Sequence, residues 1–585
     1  MKKIYIISIL FVSILILFLF YPRNIKMCVF IESSNKNTQI YYKGKIKTIN
    51  GHISYPKYSV LDISYNFFKI NHVKINSPLV ERIMMKNNNS YELEMTGNVN
   101  LNKKPYYYSI DGDISKTDET HIIIGNYSTY SYLDKKGDLA VFIIYPFQFT
   151  DMRIGLSNEN YKSFYHQNEN IILEEDGYLY SYLNNVYINI NKGSNILIEK
   201  QKELLNVTIN NKNYYFKNRF YIKSNNIKIN SIKRNYDYIP KYNGVLEFSN
   251  NKKGFLMINE TTIEDYLKKV VPSEMFATSP LESLKCQAIA ARTYAISDAL
   301  KSRYAYVGFF VDDSTFSQVY NNSPETEKVN QAISSTEGII MTYKNKPIDA
   351  KYYSCSCGFG ASFSDIWFNP DFSSTSNPYL SNTSYSDEDF PKEEESWLSF
   401  YKSSNIKAYD SDSPYFRWNL EYTSLDLTDI INKSIEELLT FKKDYVLIKN
   451  KSKLKSKFKK FKNIDSIDII KRGKSGNVEE ISIKDKDYSV TIISDSAIRY
   501  CFKCTDIPIY LKNNKIFKFS SLPSSFFSIE NKNNKFVFYG GGFGHGVGMS
   551  QYGAINLGEK GLTADEILNI YYKNIEFTNI NTMTN

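Results

Sequence analysis

An apolar run near the N-terminus constrains this chain more than any other feature of its sequence. The run covers residues 4–21, is interrupted only by Ser8 and Ser13, and follows Lys2 and Lys3. Its length is just sufficient for a helix that crosses a bilayer. Because paired lysines are retained on the cytoplasmic side, the sequence predicts a single-pass membrane anchor with everything after it outside the cytoplasm.

A cleaved signal peptide is the alternative interpretation of this run. The apolar part of a signal peptide is usually about 7–15 residues long and ends in an Ala-x-Ala-like site. Here the run is longer and ends in Tyr21, Pro22 and Arg23. The Ile-Lys-Met-Cys sequence at 25–28 lacks the small residue that precedes the cysteine of a lipoprotein signal. We therefore favour an uncleaved anchor, with residues 1–23 as cytoplasmic tip and transmembrane segment.

The length and composition of the chain indicate a folded protein with two or more domains. It has 585 residues, of which 42% are hydrophobic and 23% are charged, so neither wholesale disorder nor a multi-span membrane protein fits. The net charge of +10 follows from 72 basic and 62 acidic residues. This charge is too dilute to indicate a nucleic-acid partner, and we predict none.

The pattern of apolar and polar residues divides the part of the chain after the anchor into two predicted domains. Residues 24–238 contain short alternating or apolar runs separated by Asn, Gly and Lys, which predicts a β-rich extracytoplasmic domain. Residues 242–248 and 254–259 have the pattern of paired strands that lead into a helix. We predict a second domain over residues 239–577, with surface insertions around 385–465 and a tail at 578–585. The predicted fold class is α+β: a membrane anchor, a β-rich first domain and an α+β second domain.

The cysteines of the sequence are compatible with a metal site, a disulfide or free thiols, and the histidines restrict the kinds of catalytic centre. Cys355-x-Cys357 and Cys501-x-x-Cys504 would supply four thiolates to a zinc ion, although only the second spacing is a favoured one. A structural zinc site, a disulfide within this set and free thiols are the three alternatives. His545 is the only histidine after residue 166, which disfavours a histidine-based zinc centre or a Ser-His-Asp triad in the second domain.

A clear helix start follows the Val-Val-Pro-Ser-Glu-Met sequence at residues 270–275. Ser279 and Glu282 have the spacing of a capping box, with Pro280 at the first helical position. The apolar residues that follow recur at intervals of three and four, which predicts a helix with one apolar face. They are Leu281, Leu284, Ala288, Ala291 and Ala295.

This helix start leaves Glu274 in the preceding turn, where it is a candidate general acid. Its neighbours in sequence are largely apolar, and partial removal from water suits a carboxyl group that must carry a proton. The alternative is a solvated loop glutamate without a catalytic role.

Seven glycines occur within residues 540–553. Such a density indicates left-handed backbone or close backbone approach. The segment has no G-x-G-x-x-G register and no following G-K-[ST], so a nucleotide-binding loop is disfavoured. We expect a backbone-lined saccharide groove, with a tightly packed turn beneath the core as the alternative.

Together these motifs closely resemble the stage II sporulation protein D family, which includes amidase enhancers. The resemblance spans about residues 240–577, and the glutamate turn and the glycine segment are its most specific parts. The matching positions are 264–267, 270–275, 281–294, 318–320, 356–358, 365–367, 378–380, 418, 473–478, 540–553 and 567–572.

The resemblance implies a membrane-anchored lytic transglycosylase that cleaves peptidoglycan glycan strands, including strands stripped of stem peptides, during wall remodelling such as sporulation engulfment. Glu274 is implied as the acid that protonates the oxygen between N-acetylmuramic acid and N-acetylglucosamine. It then accepts the proton of the muramyl C6 hydroxyl, which yields a 1,6-anhydromuramyl end. A hydrolase would need a second carboxylate, for which Asp312, Asp313 and Asp365 are candidates.

The resemblance also implies a set of substrate-binding residues. Three of them would contact sugar hydroxyl, N-acetyl or lactyl groups: Lys285, Gln287 and Arg292. The others are Gln318, Tyr320, Ser356 and His545. Of these, Gln318 and Tyr320 suit the core equally well, and His545 suits a role in positioning its loop.

No metal or other cofactor is expected. Some family members carry a cysteine and a His-Cys pair before the Gln-Val-Tyr motif, whereas Val311, Phe316 and Ser317 occupy those positions here. The expected partners are peptidoglycan and, through the N-terminal helix, the cytoplasmic membrane, with the bulk of the chain facing the cell wall. The competing hypothesis is a non-catalytic amidase enhancer that binds an N-acetylmuramoyl-L-alanine amidase, or a wall-binding scaffold.

Overall fold

A computed structural model describes residues 13, 17–159, 161–234, 238–450, 453–454, 457–486, 488–532 and 535–582. Most of the predicted anchor at 1–23 lies outside these residues. Within the described part, no helix combines the length and the apolar character needed to cross a bilayer. The chain forms two compact units. The first unit contains residues 1–266, 295–323 and 580–585, and the second contains 267–294 and 324–579.

Strands are the main regular elements of the first unit. They are β1 (Arg23–Ser33), β2 (Asn37–Tyr42), β3 (Lys45–Asn50), β4 (Val60–Tyr65), β5 (Ile70–Ile75), β6 (Ile83–Lys86), β7 (Ser90–Leu93), β8 (Gly97–Asp111), β9 (Asp113–Thr117), β10 (Thr129–Leu133), β11 (Leu139–Ile144), β12 (Asp151–Leu156), β13 (Tyr165–His166), β14 (Asn168–Leu173), β15 (Gly177–Ser181), β16 (Val186–Ile190), β17 (Asn195–Gln201), β18 (Leu204–Ile209), β19 (Lys212–Phe216), β20 (Arg219–Ile229), β21 (Lys241–Asn251), β22 (Gly254–Thr262) and β23 (Val311–Asp312).

These strands form three sheets in the described part of the first unit. A five-stranded sheet has the order β3-β2-β1-β4-β5, and a six-stranded sheet has the order β10-β11-β8-β7-β6 with β9 beside β8. A twelve-stranded sheet has the main path β19-β18-β17-β14-β20-β21-β22-β12-β23. Its pair β21 and β22 is antiparallel, with Val245 opposite Glu260, which confirms the strand pairing predicted for this stretch.

The large sheet buries ion pairs as well as apolar side chains. Glu247 on β21 is fully buried and binds Arg153 of β12, whose Nη2 lies 2.7 Å from its Oε2, as well as Arg219 of β20. If one partner of such a set is removed, an unpaired charge remains buried away from water. The loss of one partner therefore destabilises the fold strongly.

The second unit combines helices with shorter sheets. The helices in the described residues are α1 (Ile263–Glu274), α2 (Leu281–Lys301), α3 (Glu327–Ser334), α4 (Phe363–Ile366), α5 (Glu394–Lys402), α6 (Ser424–Phe441), α7 (Asp495–Cys501), α8 (Gln551–Glu559) and α9 (Ala564–Tyr571). The first residues of α1 and the last of α2 belong to the first unit.

The strands of the second unit complete the list of elements. They are β24 (Ile339–Tyr343), β25 (Lys346–Pro347), β26 (Tyr352–Tyr353), β27 (Phe359–Gly360), β28 (Thr383–Ser384), β29 (Trp418–Thr423), β30 (Val446–Asn450), β31 (Lys453–Leu454), β32 (Ser466–Arg472), β33 (Val478–Asp485), β34 (Tyr488–Ile493), β35 (Ile509–Leu511), β36 (Ile516–Phe517), β37 (Phe527–Lys532), β38 (Lys535–Gly540), β39 (Met549–Ser550) and β40 (Glu576–Asn579).

Two five-stranded sheets and three small ones organise these strands in the described part. The larger sheets have the orders β36-β35-β29-β38-β37 and β31-β30-β34-β33-β32, and β26 pairs in parallel with β39. Helix α6 packs on α7, and α7 packs on β33 and β34. Helices and many strands therefore coexist, which confirms the predicted α+β class.

All six cysteines are buried free thiols. Cys357 belongs to an apolar cluster that includes Trp397, whereas Cys501 and Cys504 belong to another that includes Trp418. The two cysteine pairs thus serve separate cores as small apolar residues. No group of histidine, cysteine or acidic residues in the described part of the chain has the arrangement of a metal site.

The glycine segment is a tightly packed turn, and a saccharide-binding role for it stays a prediction. Gly542 and Gly548 both have φ of +79°, in the left-handed region. A Cβ on Gly542 would lie 2.8 Å from the Cys355 carbonyl oxygen, and one on Gly548 would lie 1.9 Å from that of Lys351. The space that a side chain would occupy is already filled by neighbouring backbone, which confirms the packed-turn alternative.

This close approach predicts a large cost for Gly548→Ala. A left-handed alanine alone costs about 1–2 kcal/mol. At Gly548 the Lys351 carbonyl must also move, so we expect a loss above about 4 kcal/mol, in the range that marks severe packing conflicts.

Gly561→Ala is the matched control. Gly561 has φ of +89° but no heavy atom within 4 Å of its added Cβ. Differential scanning calorimetry should show a small fall in melting temperature for Gly561→Ala and a much larger one for Gly548→Ala. Equal shifts would contradict the packing argument.

Candidate functional site

Glu274 is the last residue of helix α1, which corrects the expectation that it lies in a turn. The helix passes through Pro272 without ending, because the Met275 N–H still donates to the Val271 carbonyl over 2.9 Å. The Ser273 hydroxyl donates to the Lys269 carbonyl over 2.6 Å and further supports this last turn. Glu274 is partly exposed and stands at the negative end of the helix dipole.

A glutamine from the far end of the chain holds the Glu274 backbone. The Gln551 Nε2 donates to the Glu274 carbonyl over 3.0 Å and to the Gln287 Oε1 over 3.2 Å. Gln287 is fully buried in α2, and within the described residues its Nε2 has no hydrogen-bond partner. One amide therefore connects the end of α1, the middle of α2 and the start of α8.

The start of α8 is fixed in turn by a buried carboxylate. Ser550 caps this helix by accepting a hydrogen bond from the Gly553 N–H, and its hydroxyl donates to Asp410. Asp410 is fully buried and also accepts from the Ser356 N–H over 3.0 Å and from the Ser356 hydroxyl over 2.5 Å. Burial raises the pKa of Asp410, and the hydrogen bonds from Ser356 and Ser550 oppose that rise.

The capping box predicted before α2 does not form. The helix begins at Leu281, but the Glu282 carboxylate accepts from Lys285 Nζ over 2.7 Å and from the Ala564 N–H over 2.9 Å. Both carboxylate oxygens are thus engaged away from Ser279. Lys285, a predicted substrate-binding residue, is a partly buried member of this ion pair.

Helix α2 is buried on every side, whereas its sequence predicted a single apolar face. From residue 283 to 299, Lys285 is the only position that is not buried. Arg292 is fully buried and its Nη1 donates to the Ile339 carbonyl over 3.0 Å. The polar side chains of this helix are accommodated by interior hydrogen bonds, which an apolar repeat does not reveal.

Gln318 and Tyr320 lie in the interior of the first unit. The Tyr266 hydroxyl donates to Gln318 Oε1, and the Tyr320 hydroxyl donates to Asn259 Oδ1, both over 2.9 Å. Both predicted site residues are almost completely buried. Their contacts are those of core residues, and a binding role for them stays a prediction.

His545 belongs to the glycine segment and carries no charge. Its Nδ1 accepts from the Val547 N–H over 3.1 Å, and its ring lies 5.0 Å from that of Trp367. Burial, with further contributions from Lys351 and Arg499, lowers the pKa of His545 to about 3. The neutral ring positions the turn, in agreement with the role expected from its glycine surroundings.

A row of aromatic rings begins two residues after Glu274. Phe276 is 64% exposed, and its ring centroid lies 6.4 Å from that of Tyr552. The row continues to Tyr415 at 6.0 Å, to Phe543 at 5.1 Å and on to Phe519 at 5.3 Å, and these rings are partly exposed. Aromatic faces of this kind attract the C–H groups of sugar rings.

Sequence reasoning missed this aromatic row and the Asp410 contacts. The rings come from separated segments of the chain. Phe543 and Tyr552 lie in the glycine segment and Phe276 directly follows the 270–275 motif, whereas Tyr415 and Phe519 lie in no motif that the sequence singles out. Asp410 lies in no motif at all. Gln551 was visible within the glycine segment, but its two partners are more than 260 residues away in sequence.

Two family models match parts of the chain after residue 250. The model described as Stage II sporulation protein matches residues 251–343, which include Glu274, Lys285, Gln287 and Arg292. A model described as a domain of unknown function matches residues 361–548, which include Asp410 and His545.

Similar proteins occur in several bacteria. An uncharacterized protein of Brachyspira hyodysenteriae is 30% identical over 342 residues, which cover 58% of this chain and 73% of that protein. An amidase enhancer of Bacillus subtilis is 28% identical, over 53% of this chain and 40% of that protein. The stage II sporulation protein D of Bacillus subtilis is 24% identical, over 56% of this chain and 78% of that protein. The resemblance seen in the sequence is thus confirmed, and the chain belongs to the stage II sporulation protein D and amidase enhancer family.

Proposed function

We propose that this protein is a peptidoglycan lytic transglycosylase that cleaves the bond between N-acetylmuramic acid and N-acetylglucosamine in wall remodelling such as sporulation engulfment. The observation that carries the proposal is the position of Glu274. It ends helix α1, its backbone is held by Gln551, and the exposed ring of Phe276 follows it. A carboxyl group fixed at the start of an aromatic row is suited to act on a long sugar polymer.

In the proposed reaction Glu274 acts first as an acid and then as a base. The carboxyl group stands at the C-terminal end of helix α1. The carboxyl group donates its proton to the glycosidic oxygen as the bond to the muramyl C1 breaks. The carboxylate then accepts the proton of the muramyl C6 hydroxyl, whose oxygen bonds to C1. The nucleophile belongs to the substrate, so one carboxyl group is sufficient.

Two of the three carboxylates that could serve a hydrolase, Asp312 and Asp313, are engaged elsewhere in the protein. Asp313 is fully buried, accepts from the Ser157 hydroxyl, and lies 2.7 Å from Arg234 Nη2. Asp312 accepts from the hydroxyls of Ser314 and Tyr304. Both side chains are engaged inside the first unit, whereas a hydrolase needs a second carboxylate that is available to activate water.

The non-catalytic amidase enhancer is the second candidate function. The relative that carries this name is 28% identical to the chain, and an enhancer would need only the binding surface. The same aromatic row would then present glycan strands to an amidase. The two functions differ in whether the purified protein alone forms new sugar ends.

We further propose that residues 1–23 anchor the protein in the cytoplasmic membrane, with the bulk of the chain facing the cell wall. The apolar run and the two lysines before it support this topology. Protease added to intact cells should digest the C-terminal part of the protein while a cytoplasmic marker survives. A fully protected C-terminus would overturn the proposed topology.

Glu274→Gln should lower turnover of peptide-free glycan strands by about 100- to 10,000-fold, the usual contribution of a general acid. Mass spectrometry of the products should detect 1,6-anhydromuramyl ends with the native protein and almost none with the variant. Glu327→Gln, which changes an exposed glutamate at the start of α3, is the control and should keep full activity.

Three other outcomes of this assay have distinct meanings. Products heavier by one water would identify a hydrolase. Sugar release only after an amidase is added would support the enhancer. Equal activity of native protein and Glu274→Gln would exclude Glu274 as the acid.

Phe276→Ala should raise the KM for glycan strands by about 2- to 10-fold, as the loss of one aromatic stacking contact predicts. Its kcat should change little, because the ring is not a proton donor. Phe441→Ala, which removes another exposed ring of the second unit at the end of α6, is the control. The same KM for both variants would show that the aromatic row does not bind the strand.

A further inference from the structure

A cavity in the first unit has no role in the function proposed above. Its volume is about 390 Å³, within the range of small-molecule sites. Residues of the five-stranded sheet line one part of it, and residues of β8, β10 and β11 line another. Among the lining residues are the rings of Tyr42 and Tyr106 and the amides of Asn76 and Asn102.

Five lysines surround this cavity, and none of them forms an ion pair with a described residue. They come from four separate stretches of the chain, so their convergence is a property of the fold. They are Lys26, Lys74, Lys104, Lys135 and Lys136.

The two acidic residues of the cavity are already engaged by the protein. Asp62 accepts from the Met27 N–H over 2.9 Å and from the Asn76 amide over 3.2 Å. Asp134 accepts from the Asn102 amide over 2.7 Å and, at the turn after β10, from the Lys136 N–H over 2.7 Å. These carboxylates organise the wall of the cavity, and the lysines leave it with an excess of three positive charges.

The cavity is lined by lysine and not by arginine, and this choice indicates which anion it binds. Carboxylates are recognised with particular geometry by the planar fork of arginine, whereas the lysine ammonium is a point charge that commonly binds phosphate. No arginine lines the cavity. Its volume also exceeds the needs of a lone phosphate, and the tyrosines among its lining residues suit an attached polyol.

We propose that this cavity binds a phosphate group carried on a polyol, as a site separate from the glycan-cleaving centre. The same chemistry occurs in a glycerol-phosphate polymer and in the glycerol-phosphate headgroup of a lipid. Binding should weaken as salt increases, because the lysines are solvent-exposed.

Calorimetric titration of the full chain in a nonionic detergent tests the proposal. The probes are soluble poly(glycerol phosphate), glycerophosphoglycerol as the lipid headgroup, and inorganic phosphate. The triple variant Lys74→Gln, Lys104→Gln and Lys135→Gln should raise the Kd for the polyol phosphates by at least about tenfold.

A matched triple variant separates the cavity from general surface charge. Lys192, Lys202 and Lys217 are exposed lysines of the same unit that do not line the cavity. Their change to Gln should alter the Kd by less than about twofold. Melting temperatures of both triple variants should match that of the native protein, since all six side chains are exposed.

The outcomes identify the ligand or reject the site. Tighter binding of the polymer than of glycerophosphoglycerol identifies a polymeric ligand, and equal binding per phosphate identifies the headgroup. Inorganic phosphate that binds as tightly as either would overturn the role of the polyol. Absence of binding, or equal losses in the two triple variants, would overturn the site itself.

Discussion

A single buried carboxylate, Asp410, fixes the part of the second unit on which the candidate site depends. It accepts hydrogen bonds from the backbone and hydroxyl of Ser356 and from the hydroxyl of Ser550. Ser550 begins α8, and the next residue, Gln551, holds the Glu274 carbonyl. Asp410 is therefore linked to the backbone of the proposed acid through Ser550 and Gln551.

Interior polar contacts of this type give the site its rigidity. Gln287 and Arg292 lie on a helix that is buried almost all round, and they bond to Gln551 and to the Ile339 carbonyl. A buried polar group that loses its partner costs about 1–3 kcal/mol, so each contact resists displacement. The carboxyl group of Glu274 can thus be presented from a fixed scaffold, which is what proton transfer to a bound sugar requires.

The local parts of this architecture could be predicted from the sequence, and the non-local parts could not. Alternating patterns located the strands β21 and β22 and the helix after them, because these depend on nearby residues. The packing of Gly548 against Lys351 joins residues nearly 200 positions apart, so glycine content alone favoured a backbone-lined groove and left the packed turn as the alternative.

The same distinction explains the error at α2. Ser279 and Glu282 have the right spacing for a capping box, but Glu282 finds a stronger pair of partners in Lys285 and the Ala564 N–H. A tertiary contact replaces the local one. The helix start and the apolar neighbours made Glu274 a candidate acid alongside the alternative of a solvated glutamate, and the family resemblance then assigned it the catalytic role.

The route of the chain through the two units has a consequence for biosynthesis. The first unit is interrupted by residues 267–294 and resumes at 295–323, where β23 pairs in parallel with β12. Until Val311 leaves the ribosome, β12 keeps an unpaired edge that invites pairing with other chains. A nascent chain that stops near residue 239 also lacks β21 and β22. More than 300 residues must therefore be synthesised before β23 can cover its part of the β12 edge.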